Sequence, residues 1–182
     1  MNNKRGLSTL PIFLFIFACF FFLIFWGLAL YGFSTVNTIL SQNVSIGQTN
    51  LADVTSKTFG KISTAMLDSA DNIAIILIFG MVLLMIMNGY FFGNSNRLWI
   101  VLDILILFFA YILSVYISNT YEIYINALAS TTSIYSNELA KSSTFLLRLP
   151  TFISTIGILI MIITYSGINR DDPRGGININ EF

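Results

Sequence analysis

Histidine is missing from this chain altogether, cysteine occurs once and proline three times in 182 residues. Such a set cannot build a His-based catalytic triad or a Cys/His zinc site, and Cys19 has no second thiol for an intramolecular disulfide. Cys19 sits inside a long apolar run, the setting of a small buried hydrophobe. Charge is scarce too. Asp, Glu, Lys and Arg together make 10% of the chain, against roughly 25% in an ordinary soluble domain, so a soluble fold would have too little polar surface to cover itself. Nine basic and nine acidic residues cancel, and Lys4-Arg5 is the only basic run. Neutralising a phosphate backbone needs a clustered positive face, so no nucleic-acid partner is expected. No catalytic, cofactor-binding or metal-binding set is recognisable, and no enzyme activity or cofactor is expected.

Hydrocarbon takes the place of charge. Hydrophobic residues reach 55%, mean hydropathy is +0.79, and seventeen Phe fall largely in runs. Four runs are measured against the ~20 residues that cross a bilayer: about 10–33, 73–92, 98–118 and 150–168. The first follows Lys4-Arg5, as a secretory signal would. A signal's apolar region is usually ~7–15 residues, so a retained anchor is expected. Pro150 suits a first helical turn, where its missing N–H has no partner to lose. The turn "GNSNR", between Gly89 and the third run, is short enough to predict that the second and third helices are antiparallel neighbours. The expected fold is therefore all-α: one integral membrane domain with four transmembrane helices and amphipathic helical extensions in the connecting segments.

Segments 34–72 and 119–149 connect the spans, and 169–182 is a tail. In the first, Leu51, Val54, Thr58, Ile62, Ala65, Met66 and Ser69 recur at three- and four-residue steps, which predicts an amphipathic helix leading into the second span. Tyr121, Ile125 and Leu128 continue the third helix past the bilayer. Four spans put Lys4, Arg5, Arg97, Arg170 and Arg174 on one side, close to span ends. Lys57, Lys61, Lys141 and Arg148 are spread over longer segments on the other. The density of Lys and Arg places both termini, by this reading, in the cytoplasm.

One carboxylate interrupts the third run. Asp103 lies five residues past Leu98, roughly 8 Å below the boundary at ~1.5 Å per residue. An ionised Asp deep in a bilayer costs several kcal/mol, so it needs partners. Asn88 sits at similar depth on the preceding helix, and Arg97 lies at the interface above. The expected role is a structural polar clasp of Asp103, Asn88 and Arg97 that fixes the hairpin's register. A proton relay normally strings several ionisable groups along a path, and the spans hold no second one. Weaker features are the acceptor pattern Asn43-Val44-Ser45, the small pair Ser114 and Ser118, and Trp26, Tyr31, Tyr90 and Trp99 near span ends as interfacial anchors. "RDDPRGG", from Arg170, reads as a solvated tail.

The order "TFGKI", "SADNIAIILIFGMVLLMIMNGYFFG", "RLWIVLDILILFFAYILSVYISNTYE" and "LRLPTFISTIGILIMIITYSGI", from Thr58 to Ile168, resembles small multi-pass proteins of viruses and phages, including viruses that carry a lipid membrane. The resemblance implies a component of a virion or host membrane and brings no residue roles. The expected function is a structural membrane protein that organises the bilayer and contacts membrane or capsid proteins, or further copies of itself, through its two polar connecting segments. The alternatives are a small subunit of a translocation or secretion complex, or a holin-like pore former.

Overall fold

A computed structural model describes residues 9–42, 45–46, 49–92 and 98–166. Lys4-Arg5, Asn43-Val44, the 93–97 turn with Gly93 and Arg97, and the tail with Arg170 and Arg174 lie outside the described residues, as do the side chains of Gly89, Tyr90 and Trp99.

Among the described residues six helices carry the fold: α1 (Leu10–Leu40), α2 (Leu51–Lys57), α3 (Phe59–Phe92), α4 (Leu98–Leu128), α5 (Ala140–Leu147) and α6 (Leu149–Ser166). A minimal antiparallel hairpin, β1 (Ser45–Ile46) and β2 (Thr49–Asn50), joins α1 to α2. In an apolar solvent each segment must satisfy its own backbone, and a helix does this without help from a neighbour. Pro11 occupies the first turn of α1, where its fixed φ suits helix entry. Asn50 caps α2 by accepting from the Ala52 N–H at 3.0 Å, and the helix breaks at Thr58, where φ is −119° and ψ −90°.

Three helices, α1, α3 and α4, are long and apolar enough to cross a membrane, and the pair α5–α6 makes a fourth if the two count as one bent span. α1 and α4 have 31 residues each, about 46 Å of helix against ~30 Å of hydrocarbon. Each overhangs the bilayer by several turns. These overhangs, α2, the start of α3 and the 129–139 segment gather at one end as a head.

The exterior of the long helices is apolar. Phe17, Phe21 and Phe25 of α1, Ile76, Phe79 and Leu83 of α3, Val101, Ile104 and Phe108 of α4, and Ile158 and Ile162 of α6 are all exposed. Leaving one such side chain in water rather than burying it forgoes about 1.5–3 kcal/mol. Summed over these eleven, that exceeds the ~5–15 kcal/mol net stability of a domain. Lipid is the solvent that removes this cost, and the chain is an integral multi-pass membrane protein.

The long helices and α6 stand in a four-cornered ring: α1 beside α3, α3 beside α6, α6 beside α4, α4 beside α1. The expectation that the second and third spans would be neighbours is corrected here. α3 and α4 are diagonal, although only five residues separate them in sequence. Five extended residues reach about 17 Å, while the diagonal of a square of helices ~10 Å apart is about 14 Å. A short turn therefore does not force adjacency. Small residues bring the corners close. Leu107 of α4 packs directly over Gly157 of α6, where a Cβ would sit 2.1 Å from Leu107 Cδ1.

The expected apolar stripe of the first connection is also displaced. Val54 and Ile62 are exposed, whereas Thr55, Ser63, Ala70 and Ala74 are buried. α2 and α3 both pack on α1, and close approach favours the small face over the bulky one.

Candidate functional site

Two polar centres flank the apolar core, at opposite ends of the ring. The first is built on Asp103, 2% exposed. Thr9 precedes α1 in the N-cap position, yet its side chain makes no cap bond. Its hydroxyl instead donates to Asp103 Oδ1 at 2.6 Å. From the last turn of α6, the Tyr165 hydroxyl donates to Oδ2 at 2.5 Å. Short bonds to a carboxylate are the strong, charge-assisted kind. They tie α4 to its two ring neighbours, α1 and α6.

Thr9 and Tyr165 are partners of Asp103 that the expected clasp did not include. Asn88 belongs to α3, the diagonal helix, and lines a groove with Pro11, Phe15 and Met85 on the α1 side. Arg97 lies outside the described residues. Thr9 and Tyr165 were missed because neither is near Asp103 in sequence; they are 94 and 62 residues away.

The second centre surrounds α5. The cap residue of α5, Leu139, has no side-chain oxygen to offer, so the first N–H groups of the helix need an acceptor from elsewhere. Asp71 of α3 supplies it. Its Oδ2 accepts from the Lys141 N–H at 2.9 Å, and its Oδ1 from the Ser142 N–H at 2.8 Å and the Ser142 hydroxyl at 2.7 Å. An anion at a helix N-terminus also meets the positive end of the helix dipole. This carboxylate is a cap supplied from another helix.

Beside it runs a chain of hydroxyls, each with one proton to give. Tyr135 donates to the Ile24 carbonyl at 3.1 Å, so its oxygen accepts from Tyr124 at 3.0 Å. Ser143 donates to the Tyr135 carbonyl at 3.0 Å and accepts from Tyr121 at 2.9 Å. Burial, together with the hydrogen bond to Tyr124, pushes the Tyr135 phenol far above its ordinary range, so it remains a donor. Its ring lies flat on Gly27, where a Cβ would come within 2.3 Å. Trp26, expected as an interfacial anchor, is half-buried and donates from Nε1 to the Ala70 carbonyl of α3 at 3.3 Å.

Ser118 completes the centre. α5 and α6 meet at 70° because Pro150 has no N–H for the Leu146 carbonyl and its ring clashes with a continuing helix. The Thr151 N–H turns back to the Arg148 carbonyl at 3.1 Å. The Leu147 carbonyl is thereby released, and the Ser118 hydroxyl donates to it at 2.7 Å. Ser114 hydrogen-bonds within its own helix, to the Tyr111 carbonyl at 2.7 Å.

Fifteen residues of α4 separate Asp103 from Ser118, roughly 22 Å. Between them the interior is filled by Ile12, Ile16, Cys19, Ala110, Ile153 and Ile156, all buried. Among the described residues, no group of three or more His, Cys, Asp or Glu side chains could hold a metal ion. No protein-family model matches this chain, and comparison with curated proteins and with solved structures gave no match.

Proposed function

We propose that this protein is a structural component of a viral or cellular membrane, crossing it four times with both termini cytoplasmic and holding its head outside to dock partner proteins. The observation that carries the reading is the division of the molecule: a ring of helices with an apolar exterior and an apolar interior, beneath a polar head. Among the described residues, the charged side chains other than Asp103 lie in the head or along α5 and its junction with α6, as Lys141 and Arg148 do, and the Asp103 carboxylate accepts from the hydroxyls of Thr9 and Tyr165. That is the arrangement of a clasp, since a relay needs further ionisable groups in sequence. The head carries exposed Val36, Ile39, Val54 and Ile62 among Ser, Thr and charged residues, and apolar groups inside a polar rim are where partners dock.

The test is crosslinking in native membranes, with the partner profile compared between the parent and a Val54→Asp/Ile62→Asp variant. Loss of specific crosslinks at unchanged melting temperature supports the reading. An unchanged profile, or full virion or complex incorporation by the variant, removes the docking role. The 70° break between α5 and α6 favours a second reading, a translocation-complex subunit, because interrupted helices recur in transporters. Substrate flux or single-channel current from reconstituted protein would move that reading to first place.

A further inference from the structure

One stripe of α4 stays exposed from end to end. Val101, Leu105, Phe108 and Ile112 follow one another at steps of four, three and four residues, each exposed. The stripe continues through Tyr116, Asn119, Ile123 and Asn126 at the same steps, again exposed. Asp103, Ala110, Ile117 and Tyr121 form the opposite, buried face. From Val101 to Asn126 the stripe is roughly 37 Å long, against ~30 Å of hydrocarbon. With the bilayer starting at Leu98, ~20 residues of crossing end near Ser118. Lipid therefore covers Leu105, Phe108 and Ile112, whereas Ile123, 64% exposed, stands in water. Asn119 and Asn126 bracket it, and neither side-chain amide has a hydrogen-bond partner among the described residues. Whatever covers the whole stripe has to be a helix that passes the same boundary at the same depth.

We propose that the occupant is a second copy of this chain, joined through α4 in a parallel two-fold dimer. Copies inserted alike share one orientation, so the two-fold axis relating them runs along the membrane normal. Each stripe residue then meets its own counterpart at its own depth: apolar on apolar within the lipid, Ile123 on Ile123 in water, amide on amide at Asn119 and Asn126. A carboxamide carries both donor and acceptor and so complements itself. An Asn in such a seam fixes register and favours two strands. Glu122 lies beside the stripe, because a straight helix drifts ~20° per heptad and Ile123 has taken its place. The two Glu122 carboxylates therefore stand on opposite flanks of the dimer. Area agrees with this occupant. A half-exposed aromatic leaves about 100 Å² uncovered. At that scale the stripes of two copies cover up to about 1,600 Å² together, above the ~1,000 Å² that a specific interface needs.

Disulfide trapping of the full chain in native membranes, with added oxidant, tests the proposal, since native Cys19 is buried and stays silent. Ile123→Cys, on the dimer axis, should give a linked dimer, and Lys57→Cys, exposed on α2, should not. In lipid bilayers, energy transfer between labelled copies should show dimerisation weakened about tenfold by Asn119→Ala, which removes one amide from each copy. The melting temperature of that variant should be unchanged. A parent that stays monomeric would overturn the proposal. So would a dimer that Asn119→Ala and Asn126→Ala together leave intact, equal trapping of Lys57→Cys, or trapping of Ile123→Cys on a different protein. Val54 and Ile62 are untouched in every variant, so the result is independent of whether the head docks a partner.

Discussion

Replacing Tyr165 by Phe removes one hydroxyl and leaves the shape of α6 intact, so it isolates what the buried carboxylate contributes. Interhelical hydrogen bonds in membranes average about 0.6 kcal/mol and reach ~1.7. The Tyr165 bond to Asp103 is 2.5 Å long and its acceptor is 2% exposed, which places it at the upper end, near ~1.5 kcal/mol. Thr9→Val should cost about 1 kcal/mol through the 2.6 Å bond. Removing both hydroxyls takes two donors from a buried carboxylate, and the double variant should lose roughly 2.5 kcal/mol, about the sum of the two. Asp103→Asn keeps an acceptor oxygen and gains an amide that a hydroxyl can accept, so its loss should stay below ~1 kcal/mol. Reversible SDS unfolding in mixed micelles, followed by helical circular dichroism, gives each value. The decisive comparison is Tyr165→Phe in the parent and in Asp103→Leu. The cost should nearly vanish in the second background, and an equal cost in both would refute the clasp. If Asp103→Asn assembles normally but abolishes the activity of its membrane complex, Asp103 titrates in function and the relay must be reinstated.

Gly157→Ala should lose about 1–3 kcal/mol by overpacking against Leu107; the same unfolding titration should show partial recovery when Leu107→Ala is added. Asp71→Ala removes the cap of α5, and a loss of about 1 kcal/mol is expected, read as faster amide exchange at Lys141 and Ser142 than elsewhere in α5. Protection unchanged at those two amides would show that Asp71 does not hold α5. Cysteines placed at Ser45 and Ile177 test the topology, since native Cys19 is fully buried and stays silent to a membrane-impermeant reagent. Labelling from outside intact cells is expected at Ser45 alone, and the reverse pattern would invert the topology.

Membrane residence and the helical course of the long segments were legible in the sequence, because both follow from properties that residues carry individually. A run such as 10–33 is apolar whatever it packs against, and in lipid a helix satisfies its backbone unaided. The need of Asp103 for partners was legible for the same reason: the cost of burying a charge belongs to the charge. Which partners it has depended on the ring order of the helices. That order puts α3 diagonal to α4, and it is set by small-residue contacts such as Gly157 under Leu107. Periodicity does not report such contacts, because a glycine looks the same in a close approach and in open lipid. Pro150 was legible as the first turn of a helix, but that this helix is one arm of a 70° bend depended on Ser118, 29 residues from Leu147, being there to take the released carbonyl. The sequence by itself determined the solvent and the helices. Only the tertiary structure decided the pairings, because a hydroxyl carries no mark of the acceptor it will meet.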